Sequence, residues 1–340
     1  CFGLEELRDL PEHVTKPSTT PSEEQGSAVN TYFKSIFIAK QFIENLRGNR
    51  ANHFRKVKRL VHSIVDMVVE DDTTLLALTQ IKNFDDYLFT HSANVCVLSV
   101  ALGQVLKLPK KLLAQLGLAA LLQDVGLIES PKDLLYREED LTPEEKDLYE
   151  RHPATGALTI LKNQGYSDAA IRCATASLDH HRRTDGSGFP FSTCNRQPRL
   201  FGRIVAIADA FDKLTTPRRD GGAPLTPEGA LHHLLRDEEA GVDLVLAKVF
   251  ANLVGVYPLG SVVRLDSGEI GIVQSRNPDP ALLFHPIVKI THDAHGEPIS
   301  PELVNLSEMN PDEETYRRKI VEVLPTAEFF DEVEDFTDLL

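Results

Sequence analysis

The 340-residue sequence contains no tryptophan, two methionines and four cysteines, and its Asp and Glu residues outnumber its Lys and Arg residues by 51 to 36. Cys1, Cys96, Cys173 and Cys194 are scattered without a CxxC spacing. This usage argues against a disulfide framework and is typical of a reducing compartment. The sequence therefore predicts a cytoplasmic protein.

With a formal net charge of −15, the sequence lacks the excess of basic residues that is typical of DNA- and RNA-binding proteins. A signal peptide and an apolar run of about 18 residues are also missing, so we expect no membrane span. The chain begins with Cys1 rather than Met, which predicts a trimmed or partial chain. With 42% hydrophobic and 26% charged residues, the composition fits a globular protein with one main domain and additions.

Hydrophobic periodicity and composition divide the chain into five segments. Residues 1–28 are rich in Pro, Ser, Thr and Glu and are predicted to be a flexible lead-in. Apolar residues recur at helical spacing in residues 29–83, an N-terminal helical region, and helical patterns continue through 84–253. In residues 254–325 apolar and polar residues alternate on both sides of an Asp-Ser-Gly sequence, which predicts a β-hairpin in a small β-rich extension. Residues 326–340 are predicted to be an acidic tail. We predict a mainly α fold, a helical bundle with a small β-rich C-terminal extension.

Polar residues stand at the ends of several of the predicted apolar helices. In LAALLQDVGLIESP, Asp124 ends a buried helix, where an unpaired carboxylate is costly. Antiparallel helices joined by loops could return such residues to one level, and clustered imidazoles and carboxylates form sites for transition metals. Any one histidine, however, is more often a core or surface residue. The candidates are His91, Asp124, His152, His180, His181 and Asp209.

The stretch LDHHRRTDGSGFP, residues 178–190, is the densest group of polar residues in the sequence. Adjacent histidines at a helix end can both turn toward one cluster. Gly186 and Gly188 permit positive φ angles and a close backbone approach to a ligand, and Pro190 stiffens the exit. The stretch is interpreted as a ligand loop, and the alternative is a glycine-rich surface turn.

The motifs HSANV, HPATG, HHRRTDGSGFP and RIVAIADAFDKLTT together resemble those of the HD-GYP family, across about residues 84–217. That family is a branch of the HD-superfamily metal-dependent phosphohydrolases that hydrolyses cyclic di-GMP. The resemblance implies an HD-domain helical bundle whose six candidates bind two divalent metals, iron or manganese, bridged by Asp124. A metal-bound hydroxide would then hydrolyse the phosphodiester, with Asp124 and Arg183 as the catalytic residues. The implied substrate-binding residues are Arg183, Asp185, Gly186, Gly188, Phe189 and Pro190, where Phe189 replaces the family Tyr.

Two residues depart from the family pattern. Gln123 stands where the family has the His of its His-Asp pair, and a neutral amide is a poorer ligand than imidazole. Leu127 stands where the family has a Lys that would contact a substrate phosphate. One metal, or none, is then expected if the site is degenerate. Three hypotheses stay open: a cyclic di-GMP phosphodiesterase of full or reduced activity, an inactive module that binds cyclic di-GMP or docks a partner, and a phosphohydrolase with another nucleotide substrate.

Gln123, Asn94 and Asp212 are the candidates for supporting the ligands. Asp212 shares a helix face with Asp209, and a plain salt bridge is the alternative for it. Asn94 follows His91 by one turn and could orient it or satisfy local backbone, while Tyr87 is interpreted as a core residue. The family resemblance also implies diguanylate cyclase or response-regulator domains as partners. A homodimer is a further hypothesis for the assembly of this chain.

Overall fold

The computed structural model describes residues 23–47, 54–70, 73–80, 87–130, 141–191, 196–217, 224–236, 241–277, 279, 282, 284–310 and 315–324. The predicted acidic tail and most of the predicted lead-in lie outside these residues. The first helix begins at Glu23, within the segment predicted to be flexible. Tyr87 begins a helix, but its side chain lies outside the described part of the structure.

Helices form the body of the protein, as predicted. In chain order they are α1 Glu23–Arg47, α2 Phe54–Glu70, α3 Thr73–Leu78, α4 Tyr87–Val105, α5 Lys110–Leu121, α6 Pro143–Glu150, α7 His152–Gln164, α8 Asp168–Asp179, α9 Leu200–Leu214, α10 Pro227–Arg236 and α11 Leu244–Val254. A short 3₁₀ helix, Val125–Glu129, follows α5.

Helix α4 lies at the centre of the bundle and packs against α1, α2, α5, α9 and α11. Within the described residues, its stretch Leu88–Val105 is long and apolar enough to cross a membrane, but 83% of it is buried inside the protein. Burial on all sides accounts for an apolar composition without a polar face. The N-terminal helices α1 and α2 share this core, with Tyr32 and Ile64 among its buried residues.

Local sequence signals fix the helix ends near the site. Thr142 and Glu145 form a reciprocal capping box at the start of α6. The Ser167 hydroxyl accepts from the Ala170 amide at the start of α8. Gly165 ends α7 with φ of +70°. Helices α7 and α8 are therefore short and antiparallel, so the start of α7 meets the end of α8.

The C-terminal extension is a five-stranded antiparallel sheet. Its strands are β1 Val262–Leu265, β2 Ile270–Ser275, β3 Ile287–His292, β4 Pro298–Asn305 and β5 Ile320–Leu324, in the order β4-β3-β2-β1-β5. The predicted Asp-Ser-Gly hairpin joins β1 and β2, where Gly268 has φ of +88°. Val263, Val273 and Val288 belong to the same hydrophobic cluster as the helices. The extension therefore packs onto the bundle, and the mainly α prediction is confirmed.

Candidate metal centre

Asp124, His152 and His180 converge where α5, α7 and α8 end or begin. Nε2 of His152 lies 3.1 Å from Oδ1 of Asp124, and Nε2 of His180 lies 3.3 Å from the same oxygen. The two Nε2 atoms lie 3.3 Å from each other. All three side chains are at most 3% exposed. These three residues stand 28 positions apart in the sequence, and the antiparallel helices bring them together at one end of the bundle.

Backbone carbonyls fix the protonation of both imidazoles. Nδ1 of His152 lies 2.7 Å from the Tyr149 carbonyl oxygen, and Nδ1 of His180 lies 2.7 Å from that of Ser177. A carbonyl only accepts hydrogen bonds, so each Nδ1 carries the proton and each Nε2 presents a lone pair. Two lone pairs and a carboxylate oxygen that face one point form a site for a cation. This is the arrangement that metal-binding histidines adopt.

His181 completes this group. Its donor atom lies within 4.8 Å of those of Asp124, His152 and His180. Its Nε2 is buried without a hydrogen-bond partner among the described residues. A buried polar atom without a partner is costly unless something binds it. Asp124, His152, His180 and His181 therefore fit a divalent metal, and we call this group position two.

A second group, position one, consists of His91, Asp124 and Asp209, whose donor atoms also lie within 4.8 Å of one another. Nε2 of His91 lies 2.9 Å from Oδ1 of Asp209 and 3.5 Å from Oδ2 of Asp124. The carboxylate of Asp124 therefore faces both positions, one oxygen to each. All six predicted metal ligands lie in one cluster, in which His181 is half-buried and the other five are buried.

Two of the three predicted supporting residues, Asp212 and Asn94, form a hydrogen-bond network behind His91. Nδ1 of His91 lies 2.8 Å from Oδ2 of Asp212. Asn94 donates to the other carboxylate oxygen of Asp212 at 2.8 Å, and the Tyr32 hydroxyl donates to Asn94 Oδ1 at 2.6 Å. Tyr32 lies on α1 and was not singled out from the sequence, because no local pattern links residues 62 positions apart. This network of hydrogen bonds fixes the ring plane of His91.

Gln123 lies inside position one. Its amide nitrogen donates to Oδ1 of Asp209 at 3.0 Å and lies 3.2 Å from Nε2 of His91. Its Oε1 is buried without a partner among the described residues. The Ser177 hydroxyl donates to the Gln123 backbone carbonyl at 2.8 Å and holds this segment. The amide thus contacts two of the predicted ligands directly.

Lys213 is a second member of the site that the sequence reasoning missed. It lies one turn after Asp209 on α9, with Nζ 3.2 Å from Oδ2 of Asp209. Burial raises the pKa of Asp124 and of Asp209, but the positive charge of Lys213 and the imidazoles beside the carboxylates outweigh it. The pKa of Asp124 is held well below its ordinary value and that of Asp209 at about 2. The signal available in the sequence was the i,i+4 spacing to Asp209.

Burial has the opposite consequence for the histidines. It lowers the pKa of His152 below its ordinary value, and that of His181 well below it. Neutral imidazoles beside ionised carboxylates are the protonation states that metal binding requires.

Asp179 holds the loop that carries the two adjacent histidines. Its buried carboxylate accepts from Arg196 Nη2 at 2.8 and 3.1 Å and from the Arg199 amide at 3.1 Å. Gly188 approaches the His181 carbonyl so closely that a Cβ would overlap it, and the Phe189 amide donates to that carbonyl at 3.2 Å. The sequence reasoning did not single out Asp179, although a carboxylate directly before two histidines was a usable signal.

A cavity of about 480 Å³ opens against the metal centre. Arg183, Gly188 and Phe189 of the predicted substrate loop line it, together with His180, His181 and Asp209 of the centre. Asp185, Gly186 and Pro190 are not among its lining residues, and Asp185 instead accepts from the Ser187 amide and hydroxyl to shape the loop. Arg182, Arg203 and Phe191 also line the cavity and were not predicted. The volume is typical of a small-molecule site.

Leu127 lies away from this cavity. Its side chain is 5% exposed and belongs to the hydrophobic core. Gly126, just before it, packs against the backbone of His152 with no room for a Cβ. In this chain the position therefore contributes to packing between the 3₁₀ helix and α7.

Fold and site together define a helical domain with a candidate metal centre, whose residues lie at the ends of α5, α7 and α8 and inside α4 and α9. The family model described as HD domain matches residues 75–244. The chain belongs to the HD domain family, and the resemblance drawn from its motifs is confirmed.

Relatives and a solved structure agree with this assignment. The chain is 33% identical over 248 residues, 73% of its length, to "Cyclic di-GMP phosphodiesterase PA4108" of Pseudomonas aeruginosa. It is 31% identical over 189 residues, 56% of its length, to "Cyclic di-GMP phosphodiesterase" of Thermotoga maritima. The chain covers 58% and 48% of these two proteins, about half the length of the curated relatives it matches. Bd1817, an HDG"Y"P protein from Bdellovibrio bacteriovorus, shares the fold with a TM-score of 0.56 at 22% identity, over 70% of this chain and 74% of its own.

Proposed function

We propose that this chain is a metal-dependent phosphodiesterase that hydrolyses cyclic di-GMP. One observation carries the proposal: the Asp124 carboxylate faces two groups of buried ligands beside a 480 Å³ cavity lined by arginines. The two relatives named as cyclic di-GMP phosphodiesterases support this substrate. Iron or manganese suits the mixed imidazole and carboxylate ligands.

A divalent metal, when bound, polarises a phosphoryl oxygen and lowers the pKa of water. The chain's own residues supply the rest. Asp124, His152, His180 and His181 hold the ion in a buried site. Arg183 places positive charge on the cavity wall, where it can attract a dinucleotide phosphate, whereas Arg203 is paired with Asp243 at 2.6 Å and Arg182 with Asp179 at 3.5 Å. Arg183 stays the candidate phosphate contact.

The second candidate is a module that binds cyclic di-GMP without hydrolysis. The Gln123 amide favours it, because this group contacts His91 and Asp209 where the family has a histidine ligand. A phosphohydrolase for another cyclic nucleotide is a third candidate. We also propose that the protein is cytoplasmic, forms a homodimer and docks to diguanylate cyclase or response-regulator domains.

The test is hydrolysis by protein purified without oxygen and loaded with manganese. We expect chromatography to show linear dinucleotide or GMP from cyclic di-GMP with the natural chain, and no product with His152→Ala or His180→Ala. His62→Ala, an exposed site on α2, is the matched control and retains activity. Binding without product in the natural chain would favour the second candidate, and turnover of another cyclic dinucleotide alone would favour the third.

A further inference from the structure

Position one and position two differ in the groups of the protein that contact their metal-binding atoms. In position two, the Nε2 atoms of His152 and His180 face each other and Asp124 with no N–H group between them, because both protons lie on Nδ1. In position one, an amide nitrogen and an ammonium group of the chain itself lie beside the same kinds of atoms. The two halves of the centre are therefore not equivalent.

The Gln123 amide matches the hydrogen-bonding needs of position one. Its NH₂ group has two hydrogens, and one is donated to Asp209 Oδ1 at 3.0 Å. When the His91 proton lies on Nδ1, which faces Asp212 Oδ2 at 2.8 Å, His91 Nε2 is a second acceptor within reach, at 3.2 Å. An amide nitrogen has no lone pair available for a metal, since that pair is delocalised into the carbonyl. In this orientation the atom of Gln123 that lies beside His91 and Asp209 is therefore one that cannot bind a metal.

Lys213 supplies the charge that a metal ion would otherwise supply. Its Nζ lies 3.2 Å from Asp209 Oδ2, and its side chain is 16% exposed. Asp124, Asp209 and Asp212 are all buried carboxylates, and they carry three negative charges between them when ionised. One divalent ion together with Lys213 balances that charge, whereas a second ion would place an excess of positive charge in a buried site, which is unfavourable.

We propose that the Gln123 amide and the Lys213 ammonium together take the place of one metal ion, so that this chain binds a single divalent ion in position two. The inference rests on the proposed metal-dependent function and specifies its centre as mononuclear. Lys213 is then a positioning residue that holds the Asp209 carboxylate beside His91.

The test is the number and magnetic coupling of bound manganese ions. The full chain is stripped with chelator, loaded with Mn²⁺ and freed of excess ion by gel filtration. Elemental analysis then gives manganese per chain, and electron paramagnetic resonance separates isolated ions from coupled pairs. We expect one uncoupled ion per natural chain. Gln123→His combined with Lys213→Ala restores an imidazole and removes the competing charge, so we expect two coupled ions.

The matched control is Gln104→His combined with Lys146→Ala, the same two changes at sites away from the centre, and it should retain one ion. Two coupled ions in the natural chain would overturn the mononuclear inference and leave the phosphodiesterase proposal standing, even if the double variant fails to fold. A folded double variant that still holds one ion would also overturn it. No manganese in a folded natural chain would overturn the inference and the proposed function together.

Discussion

Gly126 packs against His152 so closely that a Cβ on the glycine would overlap the histidine carbonyl oxygen. The 3₁₀ helix after Asp124 and the first residue of α7 are thereby held at backbone contact distance. This contact sets where His152 starts its helix, and so where its Nε2 meets Asp124.

The first prediction follows from that contact. Gly126→Ala forces the start of α7 outward and displaces His152 from Asp124. We expect the affinity for Mn²⁺ to fall about 10–100-fold, the range seen when residues that orient metal ligands are lost. Calorimetric titration measures it, and Gly229→Ala in α10 is the control. Unchanged affinity in a folded Gly126→Ala chain would contradict this account of how His152 is positioned.

The second prediction concerns Leu127. Lysine at this position places a charge in the hydrophobic core, so Leu127→Lys should lower the free energy of unfolding by about 2 kcal/mol or more. Leu127→Met, which conserves volume and polarity, should lower it by less than about 1.5 kcal/mol. Urea unfolding followed by circular dichroism gives both values. If Leu127→Lys is as stable as the natural chain and binds cyclic di-GMP more tightly, the side chain reaches the cavity after all.

Four of the six candidate ligands could be located from the sequence because they stand at breaks in a helical pattern, whereas His91 and Asp209 lie inside helices α4 and α9. His152 begins a helix before a proline, His180 and His181 end one before glycines, and Asp124 precedes Gly126. The contacts within position one could not be predicted from the sequence. They depend on the orientation of the Gln123 side-chain amide and on the ion pair between Lys213 and Asp209 on α9. The link from Tyr32 to Asn94 spans 62 residues and follows from packing of α1 on α4, which leaves no local pattern. Strand β4 was also unpredictable, since six of its eight residues are exposed and show no alternation.

The third prediction is the pH dependence of stability in the metal-free chain. Burial lowers the pKa of His152 and His181 below their ordinary value of 6.5. Below about pH 6.5 the unfolded chain therefore takes up protons that the folded chain does not. The free energy of unfolding should fall as pH decreases from 6.5, with a slope of up to about 1.4 kcal/mol per pH unit for each histidine, and these two residues contribute no slope well above it.

Urea unfolding of chelator-treated protein between about pH 7.5 and pH 5.5 measures this slope. His181→Gln removes one of the two groups and should give a smaller slope. His62→Gln, at an exposed position, should leave the slope unchanged. An identical slope in His181→Gln and the natural chain would show that His181 takes up a proton as readily when folded.

The fourth prediction concerns Phe191, at the edge of the cavity. The Phe189 ring already packs on His181, with centroids 4.4 Å apart, whereas Phe191 lines the cavity and is 86% exposed. An exposed aromatic ring beside arginines is suited to stack on a nucleotide base, an interaction worth about 1–3 kcal/mol per base. Phe191→Ala should therefore raise the Kd for cyclic di-GMP about tenfold without changing manganese content.

Calorimetry on the metal-free chain measures this Kd whether or not the natural chain hydrolyses its ligand. Tyr166→Ala removes an equally exposed ring away from the cavity and should bind as the natural chain does. Equal Kd values for both variants would show that the bases bind elsewhere on the cavity wall.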